Sequence, residues 1–125
     1  CVAVPRDHPL AGRKRLTIQD LYGQTLMMVR RGDSPSVDQV RNEIERHPAI
    51  HIEDTPQFYD LEVFNRCVQT RQLLMTLDCW AEVHPSLVTL PVDWDFTIPY
   101  GLLYQLDPVP DVARFVELAA ALAQP

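Results

Sequence analysis

The stretch RRGDSPS, residues 30–36, places two guanidinium groups, a carboxylate and two hydroxyls directly ahead of a helical pattern. A second stretch, HIEDTP at 51–56, places Glu53, Asp54 and Thr55 ahead of another. Asp33, Glu53 and Asp54 could form an acid/base set if a substrate lay between them, because proton transfer needs donors within hydrogen-bond reach. Pairing with Arg30 and Arg31, helix capping or tuning of ligand choice is the simpler use of such carboxylates. Cys67, Cys79 and His84 offer metal-ligand atoms, but their spacing matches no finger. Cys67 also falls inside a helical pattern, where cysteine behaves as a small buried apolar residue. No GxSxG, HExxH, phosphate loop or dinucleotide fingerprint is present in the sequence. These residue types point to binding rather than catalysis, with neither a metal nor a cofactor expected.

The chemistry that fits best is recognition of a small polar or anionic group. A helix start leaves backbone N–H groups free and carries the positive end of the helix dipole. Ser34-Pro35-Ser36 and Thr55-Pro56 both read as helix starts. In one, Ser36 and Gln39 have the spacing of a capping box; in the other, Thr55 caps and Pro56 takes the first helical position.

The 125 residues suffice for one domain, 1–125, with 46% hydrophobic and 22% charged residues. A net charge of −6 argues against a phosphate-binding surface, and Arg13-Lys14-Arg15 reads as a solvated turn. No apolar run reaches the roughly 18 residues of a membrane span. The three cysteines lack CxxC spacing, which favours a reducing cytoplasm over a disulfide framework.

The elements that must position the two polar stretches follow from periodicity. Apolar runs predict strands at 1–5, 25–29, 50–53 and 73–77, with LVTLPV and YGLLY as two more. A brief helix begins at Thr17, with Asp20 near its positive end and Gly23 as its stop. Val37, Val40 and Ile44 predict a helix over 35–47, stopped by Pro48. Phe58, Leu61, Phe64 and Val68 predict a second over 57–69. Val112, Phe115, Val116, Ala119 and Leu122 mark a final helix, whose stripe should bury against its own sheet or a second copy. Strand–helix–strand–helix–strand order builds a parallel-centred α/β sheet flanked by helices. Both polar loops then share the carboxyl edge of that sheet, where such sheets bind ligands. The expected ligand-binding set is Ser34, Pro35, Ser36, Val37, Thr55, Gln57, Phe58 and Tyr59. One of Phe58 and Tyr59 should face the core and the other the ligand. Trp80, Trp94, Phe96, Tyr100 and Tyr104 read as core or hinge packing rather than an aromatic cage.

VAVPRDHPLAG and LTIQDLYGQTLMMV resemble the start of the second half of the effector-binding domain of LysR-type transcriptional regulators. His8-Pro9-Leu10-Ala11 and Asp20-Leu21-Tyr22-Gly23 stand where that family has its His-Pro-Leu-Ala turn and Asp-Leu-x-Gly helix end. VDWDFTIPYGLLY and PDVARFVELAAAL resemble its closing strand and last helix. The sequence departs from the pattern at Gln69-Thr70-Arg71-Gln72, where a glycine-containing turn is usual, and at Asp78 and Trp80. The resemblance implies one subdomain of a type 2 periplasmic-binding-protein-like fold: residues 1–104 as the second effector subdomain and 105–125 as a C-terminal return segment. It implies a cytoplasmic, homo-oligomeric regulator sensing a small-molecule effector, with DNA contacted by an N-terminal winged helix-turn-helix outside this chain. A solute-binding protein of a transport system is the alternative on the same fold.

Overall fold

The computed structural model describes residues 1–99 and 101–122. Among them the sheet has five strands: β1 (Val2–Pro5), β2 (Thr25–Val29), β3 (His51–Thr55), β4 (Leu73–Met75) and β5 (Leu87–Leu90), in the order β3-β2-β4-β1-β5. Three α-helices accompany them: α1 (Pro35–Ile44), α2 (Leu61–Thr70) and α3 (Pro110–Leu122). β2 runs parallel to both β3 and β4, while β1 pairs antiparallel with β4 and β5. The sheet is therefore mixed with a parallel centre, as its β-α-β-α-β order requires.

Alternation along the strands divides the core into two layers. Leu26, Met28, Leu73 and Met75 face α1, where Val37, Val40 and Ile44 meet them. Met27, Leu74 and Ala3 face the other way, against Val63, Phe64 and Cys67 of α2. Burial pushes the Cys67 thiol up to about 12, and its Sγ donates to the Gln72 carbonyl at 3.2 Å. It packs as the expected apolar residue. Thr17 caps a short 3-10 turn, Ile18–Leu21, with Asp20 completing a capping box, and Gly23 ends it at φ +77°.

Helix α1 begins where expected, but its cap is Ser34, whose hydroxyl accepts from the Val37 N–H at 3.5 Å, and not Ser36. Ser36 lies inside the first turn. The second helix differs more. Thr55 is the last residue of β3, paired in register with Val29 and 2% exposed, so it cannot cap. Asp60 caps instead, accepting from the Val63 N–H at 3.1 Å, with Glu62 beside the positive helix end. The buried stripe shifts accordingly to Val63, Phe64 and Cys67, leaving Phe58 and Leu61 exposed. Asp60→Ala should lower stability by about 1 kcal/mol, read from urea unfolding midpoints. A loss near zero would mean that the helix start is held by packing alone.

At the end of α2, where the resemblance led one to expect glycine, Arg71 adopts the left-handed conformation at φ +55°. Its guanidinium donates to the Asp7 carbonyl at 3.0 Å and lies 3.3 Å from the Asp7 carboxylate.

Residues 101–104 form no strand, correcting the expectation at YGLLY; Tyr100 lies outside the described residues. Helix α3 has no buried residue, and Phe115 and Leu122 are 60% and 87% exposed. Its apolar stripe does not fold back onto the sheet, contrary to the first of the two expectations for it.

Candidate functional site

A cavity of about 290 Å³ opens at the carboxyl ends of β2 and β4. Three segments build its wall. Val29 ends β2 and leads into the α1 start, which contributes Ser34 and Val37. The connection from β3 to α2 contributes Gln57, Phe58 and Tyr59. The end of β4 and the turn after it contribute Met75, Thr76, Leu77 and Trp80, and Ile98 closes the wall from the later chain. A second cavity of about 290 Å³ adjoins it and shares Met75, Thr76, Leu77 and Ile98, with Trp94 and Phe96 on its far side.

The loop ahead of α1 is held in shape from several sides. Gly32 takes φ +91°, which side-chain-bearing residues rarely adopt, and its N–H donates to the Asp38 carboxylate at 3.1 Å. Arg30 Nε donates to Asp33 at 2.9 Å, and Arg31 reaches Glu45 at 2.6 Å. Gln57 Nε2 donates to the Asp33 carbonyl at 3.0 Å, which ties the two polar loops together. The loops thus lie side by side on the carboxyl edge, as the strand order demanded. The carboxylates weighed as an acid/base set are held apart: Asp33 by Arg30, Glu53 by Arg66 and Gln72, and Asp54 by Arg41.

Beneath the cavity lies Arg41 of α1, 5% exposed. One of its terminal nitrogens donates to the Val29 carbonyl and to Asp54 Oδ1, both at 2.7 Å. It joins the carboxyl ends of β2 and β3 directly under the site. Tyr59 packs its ring edge-on against Phe64 and tilted against Trp80, each at 6.0 Å between centroids. Burial pushes its phenol up to about 12, partly offset by Thr55 and Val29, so the hydroxyl is neutral through the physiological range.

Of the eight residues expected from sequence, Ser34, Val37, Gln57, Phe58 and Tyr59 border the cavity. Pro35, Ser36 and Thr55 do not: Pro35 is exposed in the first turn of α1, and Thr55 turns its hydroxyl to the Pro56 carbonyl at 3.2 Å. Tyr59 is half-buried and packs on both core layers, whereas Phe58 is 79% exposed, and both border the cavity. The residues after β4, Thr76 to Trp80, were missed, although the reasoning that put the loop after β2 on this edge applies equally to β4. No Lys, Arg or His borders the cavity among the described residues. The features that favour an anion there are the N–H groups and dipole of α1.

A family model described as the LysR substrate binding domain matches residues 1–124. No curated protein matches the chain by sequence. Among solved structures, the Synechocystis PCC6803 CcmR regulatory domain in complex with 2-PG is similar, with a TM-score of 0.63 at 18% identity. That match covers 98% of this chain and 62% of that one, so the chain spans less than two thirds of the neighbour's length. At this identity the likeness establishes a shared fold. With its family model matched from end to end but for one residue, the chain belongs to the LysR substrate-binding domain family.

Proposed function

We propose that this chain is the effector-sensing part of a LysR-type transcription regulator, binding a small molecule in the cavity at the carboxyl ends of β2 and β4. The observation that carries this reading is the convergence of the α1 start and the Gln57–Asp33 tie on one concave, largely apolar cavity. The CcmR regulatory domain, which shares the fold, is in complex with 2-PG. The ligand's polar or anionic head lies against the N–H groups of Ser34, Ser36 and Val37 and the Ser34 hydroxyl, and its body against Phe58, Tyr59 and Leu77. Residues 1–104 act as one effector subdomain and residues 105–125 as a segment returning to the other. In the whole protein, DNA is read by a separate winged helix-turn-helix, in agreement with a charge of −6 on this chain. The regulator works in the cytoplasm as a homo-oligomer, through binding and not catalysis. A ligand shifts its conformation only by binding one arrangement of the subdomains better than the other.

The reading is tested by titrating small carboxylates and phosphates, 2-PG among them, while following backbone amide shifts. Amides of Ser34, Ser36 and Val37 and of residues 57–59 and 75–77 should move together. Ser34→Ala should weaken binding roughly tenfold to a hundredfold, since a hydrogen bond to a charged group contributes about 1.5–3 kcal/mol and each decade is about 1.4 kcal/mol. Ser36→Ala should leave affinity unchanged. Shifts confined to other surfaces would discard this cavity as the effector site.

A further inference from the structure

Thr76 follows β4 and is 4% exposed, and its backbone N–H donates to the Cys1 carbonyl at 3.0 Å. Its position is therefore fixed by the sheet. Its hydroxyl oxygen is closed to solvent and has no hydrogen-bond partner among the described residues. Buried hydroxyls are nearly always paired, because leaving one unpaired forfeits its hydration without replacement. The residue borders both adjoining cavities, and Met75 and Leu77, its chain neighbours, border both with it. Pairing with a ligand requires a step between staggered χ1 wells that turns the hydroxyl into a cavity.

We infer that Thr76 is the specificity-determining contact of the effector site, pairing with a hydroxyl or carbonyl carried on an apolar, ring-sized ligand body. The inference rests on the reading of this cavity as the effector site. The ligand class follows from the surroundings. Phe58, Tyr59 and Trp80 supply flat apolar walls, and the polar side chains at Ser34 and Gln57 belong to the opposite loops. Thr76 is thus a polar point on the β4 side of the wall, placed to read a second group on the ligand and not its head. A site with a buried hydrogen-bonding group discriminates strongly against ligands that leave the group unpaired. In the free protein the hydroxyl is a cost to stability, relieved when the ligand arrives.

Phenol and toluene test this, since they share a ring and differ by a hydroxyl against a methyl. Each is titrated into the chain at millimolar concentration, followed by amide shifts at Ser34, Ser36 and Val37 and at residues 57–59 and 75–77. Phenol should bind about tenfold more tightly, equivalent to about 1.4 kcal/mol. In Thr76→Val, which keeps the shape and removes the hydroxyl, that preference should fall to within about twofold, and Thr76→Ser should retain it. Without ligand, Thr76→Val should melt about 3–6 °C higher, since an unpaired buried hydroxyl has been removed. A phenol preference that survives in Thr76→Val overturns this assignment and leaves the cavity as the effector site. A lower melting temperature for Thr76→Val also overturns it, by showing that the hydroxyl is structural. If neither probe moves those amides in the unsubstituted chain, the cavity accepts no such ring and this assignment falls, while the effector-site reading is decided by the carboxylate and phosphate titration.

Discussion

Leu74→Ala should cost about 2–5 kcal/mol of stability, a large share of the roughly 5–15 kcal/mol typical of a domain. Leu74 is fully buried in β4, the strand joining the parallel pair to the antiparallel half of the sheet. Its side chain fills the layer between Met27, Ala3 and the α2 residues Phe64 and Cys67. Strands on both sides hold its backbone in register, opposite Met27 and Ala3, so the lining of the resulting hole cannot collapse inward. Phe115→Ala, a larger truncation in the apolar stripe of α3, should change stability by less than about 0.5 kcal/mol because its side chain is largely solvated already. Urea unfolding of the two variants measures both. Similar losses at the two positions would mean that α3 packs on the body of the protein.

The second large effect concerns Arg41 and Asp54. Asp54→Ala removes the carboxylate that neutralises the buried Arg41 guanidinium. Losing one partner of a fully buried pair costs about 3–5 kcal/mol. Asp54 is 61% exposed, so water partly takes its place, and about 2–3 kcal/mol is expected after that screening. Arg41→Met removes the charge along with its need for a partner, leaving the Val29 carbonyl without its donor at about 1.5–3 kcal/mol. The double variant should resemble Arg41→Met alone, since Asp54 has nothing to neutralise once the guanidinium is gone. Additive losses in a double-mutant cycle would show that each residue acts independently. Because Arg41 joins β2 to β3 under the cavity, Arg41→Met should also weaken any ligand held by the two loops.

The architecture was legible where one local signal met no competitor. Val37, Val40 and Ile44 sit at helical spacing between Ser34-Pro35 and Pro48, and α1 lies there. Thr55-Pro56 carried an equally good local signal and misled. Pairing with Val29 extends β3 through Thr55, and this long-range contact outweighs a cap that Asp60 can supply five residues later. The sequence reading passed over Asp60, which caps the helix, because only the register of the sheet takes Thr55 out of contention. Arg71 shows a similar override. An arginine takes the left-handed position where glycine would do so at no steric cost, and its guanidinium is anchored on Asp7. Half of the site followed from strand order alone, because strand order places the loops after β2 and β3 on one edge. The Thr76–Trp80 side was open to the same reasoning, because β4 runs parallel to β2 and ends on the same edge.

The position of β1 in the sheet governs the order in which the protein assembles. It precedes the other four strands in the chain, yet its partners are β4 and β5, residues 73–75 and 87–90. At about 5–20 residues per second, a ribosome takes several seconds to supply them. During that interval Val2, Ala3 and Val4, all buried in the finished sheet, have no strand to join. β2, β3 and the helix between them are complete well before then, and pairing these two strands closes a far shorter loop. Nascent chains thus pass through a stage with β2 and β3 paired and the apolar β1 still without its partners. It is in this stage, rather than in the native fold, that the chain is most open to mispairing with another copy of itself.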